Sequence, residues 1–218
     1  MKQDNISQVA RFWNQSAFDF DKIYSGEKSR LGRALDSCFR RDMFQRFRWV
    51  LDSAGDVRGE TICDVGCGSG RFVVELAKRG AARITGIDIA PNMLALSHKL
   101  AGEEGVQETC NFVQADVLDW NTNEKFDLVI AIGFWDYIAD PLPRLHRIRA
   151  MTRGKFLSAW PRLWTWRVPL RKARLGLKGC PVYFFSRQRV HRLLKEAGFQ
   201  VSSCTVVGKL FCVQARPV

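Results

Sequence analysis

What the chain lacks narrows its class first. Its 218 residues hold no apolar run able to span a bilayer: the longest, LVIAIGFW at 128–135, falls well short of the roughly 20 residues that a transmembrane helix needs. The opening MKQDNISQVARFW has no basic start followed by an apolar stretch, so no secretion signal is expected and a cytoplasmic setting is. Seven cysteines, at 38, 63, 67, 110, 180, 204 and 212, are odd in number and contain no C-x-x-C pair, which reads as reduced core residues rather than a disulfide framework. Cys63 and Cys67 could open a C-x-x-x-C-x-x-C iron–sulfur spacing, but Gly70 stands at the third position. The three histidines, His98, His146 and His191, each sit in a helical pattern as surface or packing residues, and no metal centre is expected. Acidic residues are nearly missing from the last third. Residues 141–218 carry 17 Lys and Arg against the single Glu196, while 1–140 carry 17 against 21, so the net +12 divides into +16 and −4. A field of that sign favours anionic partners without saying which.

What is present is organised around residues 60–80, ETICDVGCGSGRFVVELAKRG. An apolar run through Thr61, Ile62 and Cys63 meets Asp64 and Val65, turns through Gly66, Cys67, Gly68 and Gly70, and enters a helical pattern at Phe72, Val73, Leu76 and Ala77. Strand, glycine turn and helix together let backbone approach a ligand, with the N–H groups of a helix start facing it. Asp64 raises the signal, because a carboxylate at the end of an apolar strand needs a hydrogen-bonding partner, a loop N–H or a ligand. Ile84 to Ile89 reads as a second strand ending at Asp88, and Pro91 opens the helix that follows. Asp88, 24 residues after Asp64, reads either as a helix N-cap or as an acceptor for ribose hydroxyls.

Two further units follow: CNFVQADVLDW at 110–120, running out to Asp116 and Val117, and KFDLVIAIGFWDYI at 125–138. The latter's continuous apolar strand empties into Gly133, Phe134, Trp135, Asp136 and Tyr137. Strands alternating with helices imply a parallel sheet with ligands at the strands' carboxyl ends. A helix through Leu142 to Met151, a strand at 155–161, a helix from a Ser186 N-cap to Gly198, and a hairpin around Gly208 and Lys209 complete the pattern. Before it, residues 1–58 read as helical, with an aromatic segment from Phe12 and Trp13 to Tyr24, broken by Asn14, Gln15 and Ser16, and an amphipathic helix from Arg33. The aromatic segment reads as a helix packed on the sheet or as a lid over the glycine turn. Between 162 and 178 lie six basic residues, Trp164 and Trp166, and no acid. That stretch reads as a solvated cap over the substrate, a pocket for an acidic substrate, or a contact for an anionic membrane surface or nucleic acid.

CDVGCGSG, GIDIA, QADVLDW and FDLVIAIG together resemble the successive motifs of class I S-adenosylmethionine-dependent methyltransferases, closely over about residues 59–140. The resemblance implies a Rossmann-like α/β three-layer sandwich: a mostly parallel seven-stranded sheet, the last strand antiparallel, with N-terminal helices as a lid. Residues 1–58 would be that lid and 59–218 the S-adenosylmethionine-binding domain, with a basic insertion at 162–181, as one compact unit. Asp64 and the backbone of Gly66, Cys67, Gly68 and Gly70 would hold the methionine moiety, and Asp88 the ribose. Ile89 would pack on the adenine, and Asp116 and Val117 would contact its amino edge. Gly133 and Phe134 would line the methyl-transfer side, with Trp135, Asp136 and Tyr137 next along the mouth, Asp136 and Tyr137 as candidate catalytic groups, and Trp13 and Tyr24 on the lid. The implied reaction is methyl transfer to a small, anionic or aromatic acceptor, leaving S-adenosylhomocysteine; the alternative is a non-catalytic or RNA/DNA-directed member using the basic C-terminal third. GFWD replaces the Asn/Asp-Pro-Pro-Tyr/Phe element of many amino-methylating nucleic-acid enzymes, which disfavours a base amine as acceptor. The aromatic segment ending in IYS is also similar to the N-terminus of magnesium-protoporphyrin methyltransferases. Neither the acceptor nor the oligomeric state follows from the residues.

Overall fold

The computed structural model describes residues 2–25, 43–163 and 180–218, with the side chains of 6–17 in the first stretch. The lid residue Tyr24 and the basic stretch beyond Leu163, including Trp164 and Trp166, lie outside the described side chains. Helix α1 is Lys2–Ser25 and α2 covers 43–54. The alternating units follow as β1 Thr61–Val65, α3 Arg71–Lys78, β2 Arg83–Asp88, α4 Pro91–Glu103, β3 Cys110–Gln114 and β4 Phe126–Ile132. A 3-10 turn at Trp135–Tyr137 leads to α5 Leu142–Met151, β5 Thr152–Pro161, α6 Arg187–Glu196, β6 Phe199–Val207 and β7 Leu210–Pro217.

The seven strands make one sheet in the order β3-β2-β1-β4-β5-β7-β6. β1 pairs in parallel with β2 and β4, β2 with β3 and β4 with β5, while β7 runs antiparallel to both β5 and β6. This is the Rossmann-like sheet that the resemblance implied, with its single antiparallel strand. The order reverses between β1 and β4, both of which end at the same edge, and that is where a crevice opens in such sheets.

Strand periodicity of two sends alternate residues into two cores. Ile62 on β1, Leu128, Ile130 and Ile132 on β4, and Leu157 and Ala159 on β5 face α2 and α3, packing with Val50, Leu51, Ala54, Val73 and Leu76. Cys63, Val65, Val129, Ala131, Phe156 and Trp160 face the other way, toward Leu145, Ile148, Val190 and Leu194 of α5 and α6. The uninterrupted apolar reading of β4 follows from this, since both its faces are covered.

α1 agrees with the helical reading of its stretch, and β5 differs from the sequence reading. α1 runs unbroken through Asn14, Gln15 and Ser16. Asn14 is accommodated because its Oδ1 accepts from Asn92 N at 3.0 Å, and Asn92 Nδ2 donates to Asn14 O at 3.0 Å. This bond also caps α4, whose own N-cap, Ala90, offers no side-chain acceptor. β5 begins at Thr152, three residues early, directly as α5 ends. The Thr152 hydroxyl donates to Ile148 O at 2.7 Å, satisfying a carbonyl of the last helical turn.

Candidate functional site

The glycine turn leaves β1 and packs under the end of β4. Gly66 has φ +74°, and a Cβ there would stand 2.9 Å from Phe134 Cδ2, so only glycine fits without displacing that ring. The turn's N–H groups are largely spent inside the protein: Gly66 N and Cys67 N both donate to Ile87 O, Gly70 N to Cys67 O, and Gly68 N to Asp88 Oδ2 at 2.9 Å. Ser97 on α4 locks the turn from below, its Oγ donating to Gly68 O at 2.7 Å. The glycines therefore build a rigid platform that a ligand can approach closely. Cys67 contributes backbone only; its thiol packs toward Gly86 and is pushed well up from its ordinary pKa by burial.

Two carboxylates meet at this platform in opposite states. Asp88 Oδ1 accepts from Ala90 N at 2.9 Å while Oδ2 holds Gly68 N, so it caps one loop and anchors the other. Burial raises its pKa, and the backbone donors at Ala90, Gly68 and Ile89 restrain the rise. Asp64 is 1% exposed, and its Oδ2 has no hydrogen-bond partner. Burial, and secondarily the charge of Asp88, push it up to about 8. An uncompensated buried carboxyl beside a fixed platform is a place where a ligand's polar group would supply the missing partner.

The remaining predicted residues surround this pair. Ile89 packs with Phe12, Trp13, Tyr137 and Val182, and Trp13 meets Tyr137 edge-on at 5.6 Å, so α1 covers the strand ends beyond Asp88. Asp116 is held by Arg144, whose Nη2 donates to Oδ2 at 2.5 Å, and its Oδ1 accepts from Leu118 N. The carboxylate thus shapes the turn carrying buried Val117. Gly133, φ +78°, follows β4, and Phe134 lies over Gly66. Trp135 is fully buried and stacked on Trp160 at 4.2 Å, so the structure places it in the core beneath the mouth and not on its lining. Asp136 is 4% exposed, its carbonyl accepting from Tyr183 N at 2.8 Å; Tyr137 is half-buried.

Sequence reading passed over Arg46, Arg144, Ser97 and Asn14. Arg46 carried a signal: with Met43, Phe47, Val50 and Ala54 it falls on the buried face of α2, where a charge is out of place. Asn14 broke an aromatic pattern, and its partner is 78 residues away, so no local rule finds it.

A doubly wound sheet with one antiparallel strand, an acid before a glycine turn and a second acid at the next strand end define the class I methyltransferase fold. Residues 62–154 match the family described as "Methyltransferase domain". Ubiquinone biosynthesis O-methyltransferase from Aeromonas salmonicida is 31% identical over 108 residues, 50% of this chain and 45% of that protein. The chain spans about half the length of the curated relatives it matches. In fold it resembles magnesium protoporphyrin IX methyltransferase from Synechocystis PCC 6803 with bound SAH, TM-score 0.77 at 19% identity over 98% of this chain and 100% of that one. It also resembles 1,6-didemethyltoxoflavin-N1-methyltransferase from Burkholderia thailandensis, TM-score 0.67 at 16% identity, covering 100% and 91%. No helix among the described residues is long and apolar enough to cross a membrane.

Proposed function

We propose that this protein is a cytoplasmic S-adenosylmethionine-dependent methyltransferase acting on a small, anionic or aromatic acceptor. The observation that carries the reading is Asp64: a buried carboxyl with an orphaned oxygen, at the end of β1, beside a turn whose Gly66 and Gly70 leave no room for a Cβ. These residues fit the cofactor. Asp64 would take the donor's ammonium, the glycine platform its methionine chain, and Asp88 its ribose hydroxyls. Ile89 and Val117 would flank the adenine. The relatives named for O-methyl transfer and the SAM- and SAH-bound proteins of like fold support this assignment.

Bound S-adenosylmethionine supplies a methyl group already activated on a sulfonium. The chain's work is then alignment and exclusion of water. Phe134 over Gly66 walls the methyl side, and α1, through Trp13 on Tyr137, roofs the mouth. Tyr137 is better exposed than Asp136 to meet an acceptor, and is the group to test for orienting it or accepting its proton. Residues 1–58 act as the lid of a single unit with 59–218 in this reading, although α2 also packs into the sheet's core. Basic residues beyond Arg162 would draw in an anionic acceptor. Contact with lipid or nucleic acid instead predicts binding that falls steeply with salt and is lost on neutralising Arg162, Arg167, Arg171 and Lys172.

Titration calorimetry with S-adenosylmethionine and S-adenosylhomocysteine tests the proposal. Micromolar-range binding, abolished by Asp88→Ala, is expected; wild-type protein that binds neither ligand overturns it.

A further inference from the structure

A second recess opens at the carboxyl edge of the sheet, away from the glycine turn. β7 runs antiparallel, so its first residues lie beside the last of β5, with Pro161 level with Leu210. The residues leading into α6 are drawn to the same point: Phe185 N donates to Pro161 O at 2.8 Å, and Leu163 N to Phe185 O at 3.0 Å. Between them lies a cavity of about 290 Å³ whose lining includes Arg162, Leu163, Phe185, Arg187, Gln188 and Phe211. In the order β1-β4-β5-β7 it stands two to three strands along from Asp64, roughly 10–15 Å at about 4.8 Å per strand. A row of rings, Phe134, Trp135, Trp160 and Phe185, with centroids 5.0, 4.2 and 5.0 Å apart in turn, runs from the glycine turn to the recess, so core packing separates the two.

The recess is apolar in its body and cationic at its rim. Phe185 is buried, Phe211 half-buried, and Leu163 is among the large apolar side chains left exposed. Three guanidiniums surround this surface. Arg162 Cζ lies 5.5 Å from the centroid of the Phe211 ring and Arg189 Cζ 5.0 Å from that of Phe185, while Arg187 Nη2 donates to Cys204 O at 3.2 Å. Among the described residues none of the three pairs with a carboxylate, and the chain from 141 onward holds only Glu196, at the far end of α6. Their charge is uncompensated. Arg162 is also fixed in place, its N–H donating to Lys209 O at 3.0 Å and its Nη1 to Gly208 O at 3.3 Å. Its Nε is buried without a partner, which leaves the Nε–Nη2 edge as a fork for a carboxylate. A neutral ring would leave that fork unsatisfied, and a bare anion would gain nothing from the phenyl walls.

We propose that this recess is a second small-molecule site, separate from the donor crevice, which takes an aromatic carboxylate: the ring lies against Phe185, Phe211 and Leu163, and the carboxylate sits on the Arg162 fork. Arg187 and Arg189 add field without direct contact, so the ligand is an anion and not a zwitterion. The volume limits its body to about one ring with a short side arm. Arginine suits the position because its planar group can rest on the Phe211 ring and grip both carboxylate oxygens at once. The site stands whether or not the glycine turn binds S-adenosylmethionine.

Three probes divide the ligand into its parts: trans-cinnamate carries ring and charge, trans-cinnamamide the ring alone, and acetate the charge alone. Titrations followed by the protein's amide NMR signals are expected to rank cinnamate about tenfold above either of the others in wild type. Arg162→Gln should weaken cinnamate by about tenfold and leave cinnamamide within about twofold. Arg162→Lys should recover part of the loss, since charge remains and the fork does not. Phe211→Ala should weaken cinnamate and cinnamamide together. Arg216→Gln removes the same charge from the exposed far end of β7 and should leave all three probes within about twofold. Should the Gln variant at 162 lose its folded spectrum, the Lys variant carries the test, and its preference for cinnamate over cinnamamide must fall below wild type. Acetate binding as tightly as cinnamate, wild-type affinity in Arg162→Gln, an equal loss in Arg216→Gln, or no cinnamate binding at all overturns the site. Displacement of cinnamate by S-adenosylhomocysteine also overturns it, by placing the probe in the donor crevice; failure of S-adenosylhomocysteine to bind touches only the donor-site reading.

Discussion

At the amino edge of the sheet, Asp127 accepts from Thr61 N at 3.0 Å, from Thr61 Oγ at 2.9 Å and from Arg153 Nε at 2.8 Å. At the carboxyl edge, one strand away, Asp64 keeps an oxygen with no partner. The consequences for acidity are opposite. The Thr61 backbone donor leads in holding Asp127 below its ordinary pKa, whereas burial pushes Asp64 up to about 8. The amino edge uses its polar groups to close the structure: Lys155 likewise satisfies the last carbonyls of α2 there. The carboxyl edge leaves groups open, and open buried groups are retained where a ligand completes them. The comparison separates residues that hold the fold from those that, in the proposed function, would meet the donor.

The sharpest way to break it is to remove one acid from each edge. Asp88→Ala deletes the acceptor for Gly68 N and Ala90 N together with the proposed ribose anchor, and donor affinity should fall by about 100-fold or more. Asp127→Ala should leave donor affinity within about threefold and instead lower the melting temperature, since only a structural hydrogen-bond cluster is lost. Calorimetry and thermal unfolding on both variants decide the matter; equal effects on binding would dissolve the distinction.

Asp64→Asn sharpens the contrast through pH. The folded carboxyl titrates near 8 and the unfolded one near 3.8, so from about pH 4 to about pH 8 the unfolded chain holds fewer protons and stability falls as pH rises. Asparagine has the same shape and no titration, so the variant should gain melting temperature over wild type progressively across that window. Donor affinity should meanwhile drop roughly 30-fold, because the ammonium loses its counter-charge. A variant less stable than wild type at pH 8 would show that Asp64 is structural after all.

Much of this division was legible beforehand. β1, β2 and β4 announced themselves as apolar runs ending in acids or glycine, because strand ends, turn glycines and helix starts obey local rules. The antiparallel seventh strand came from the resemblance and the strand order from the structure alone, since spacing does not fix which strands pair. Asp64 and Asp88 were readable as ligand-facing candidates, but not as one orphaned and one satisfied; that depends on where Gly68 N and Ala90 N point. Trp135, adjacent to Phe134, shared its neighbour's expectation, yet a stack on Trp160 buries it. Arg46 and Arg144 act across 87 and 28 residues, at Gly133 and Asp116, distances over which periodicity carries no information.

Gly66→Ala should act next in size. A methyl group at φ +74° strains the backbone by about 1–2 kcal/mol and meets Phe134 at 2.9 Å, so that ring must move off the turn. Donor affinity is expected to fall about tenfold. Replacing Phe134 by Leu in the same chain should recover part of it if the clash is the cause. No recovery would assign the effect to backbone strain alone.

The smallest effect tests whether α1 belongs to either edge or is separate from both. Asn14 Oδ1 is the acceptor for Asn92 N, and Ala90 gives α4 no cap of its own, so Asn14→Ala leaves an N–H of α4's first turn uncapped. The expected loss is about 1 kcal/mol, the usual worth of a cap. It should fall on the attachment of α1, because the reciprocal bond from Asn92 Nδ2 to the Asn14 carbonyl and the packing of Trp13 on Tyr137 remain. Amide exchange in α1 should quicken about fivefold while β1, β2 and β4 are unchanged, which is the signature of local and not global opening. Asn92→Ala removes the other bond, from its Nδ2 to the Asn14 carbonyl, and should give the same pattern, with the double variant quickening exchange in α1 further. A uniform rise in exchange across the sheet would place α1 with the structural edge; confinement to α1 makes it a third kind of region, a lid whose closure depends on a cap it lends to another helix.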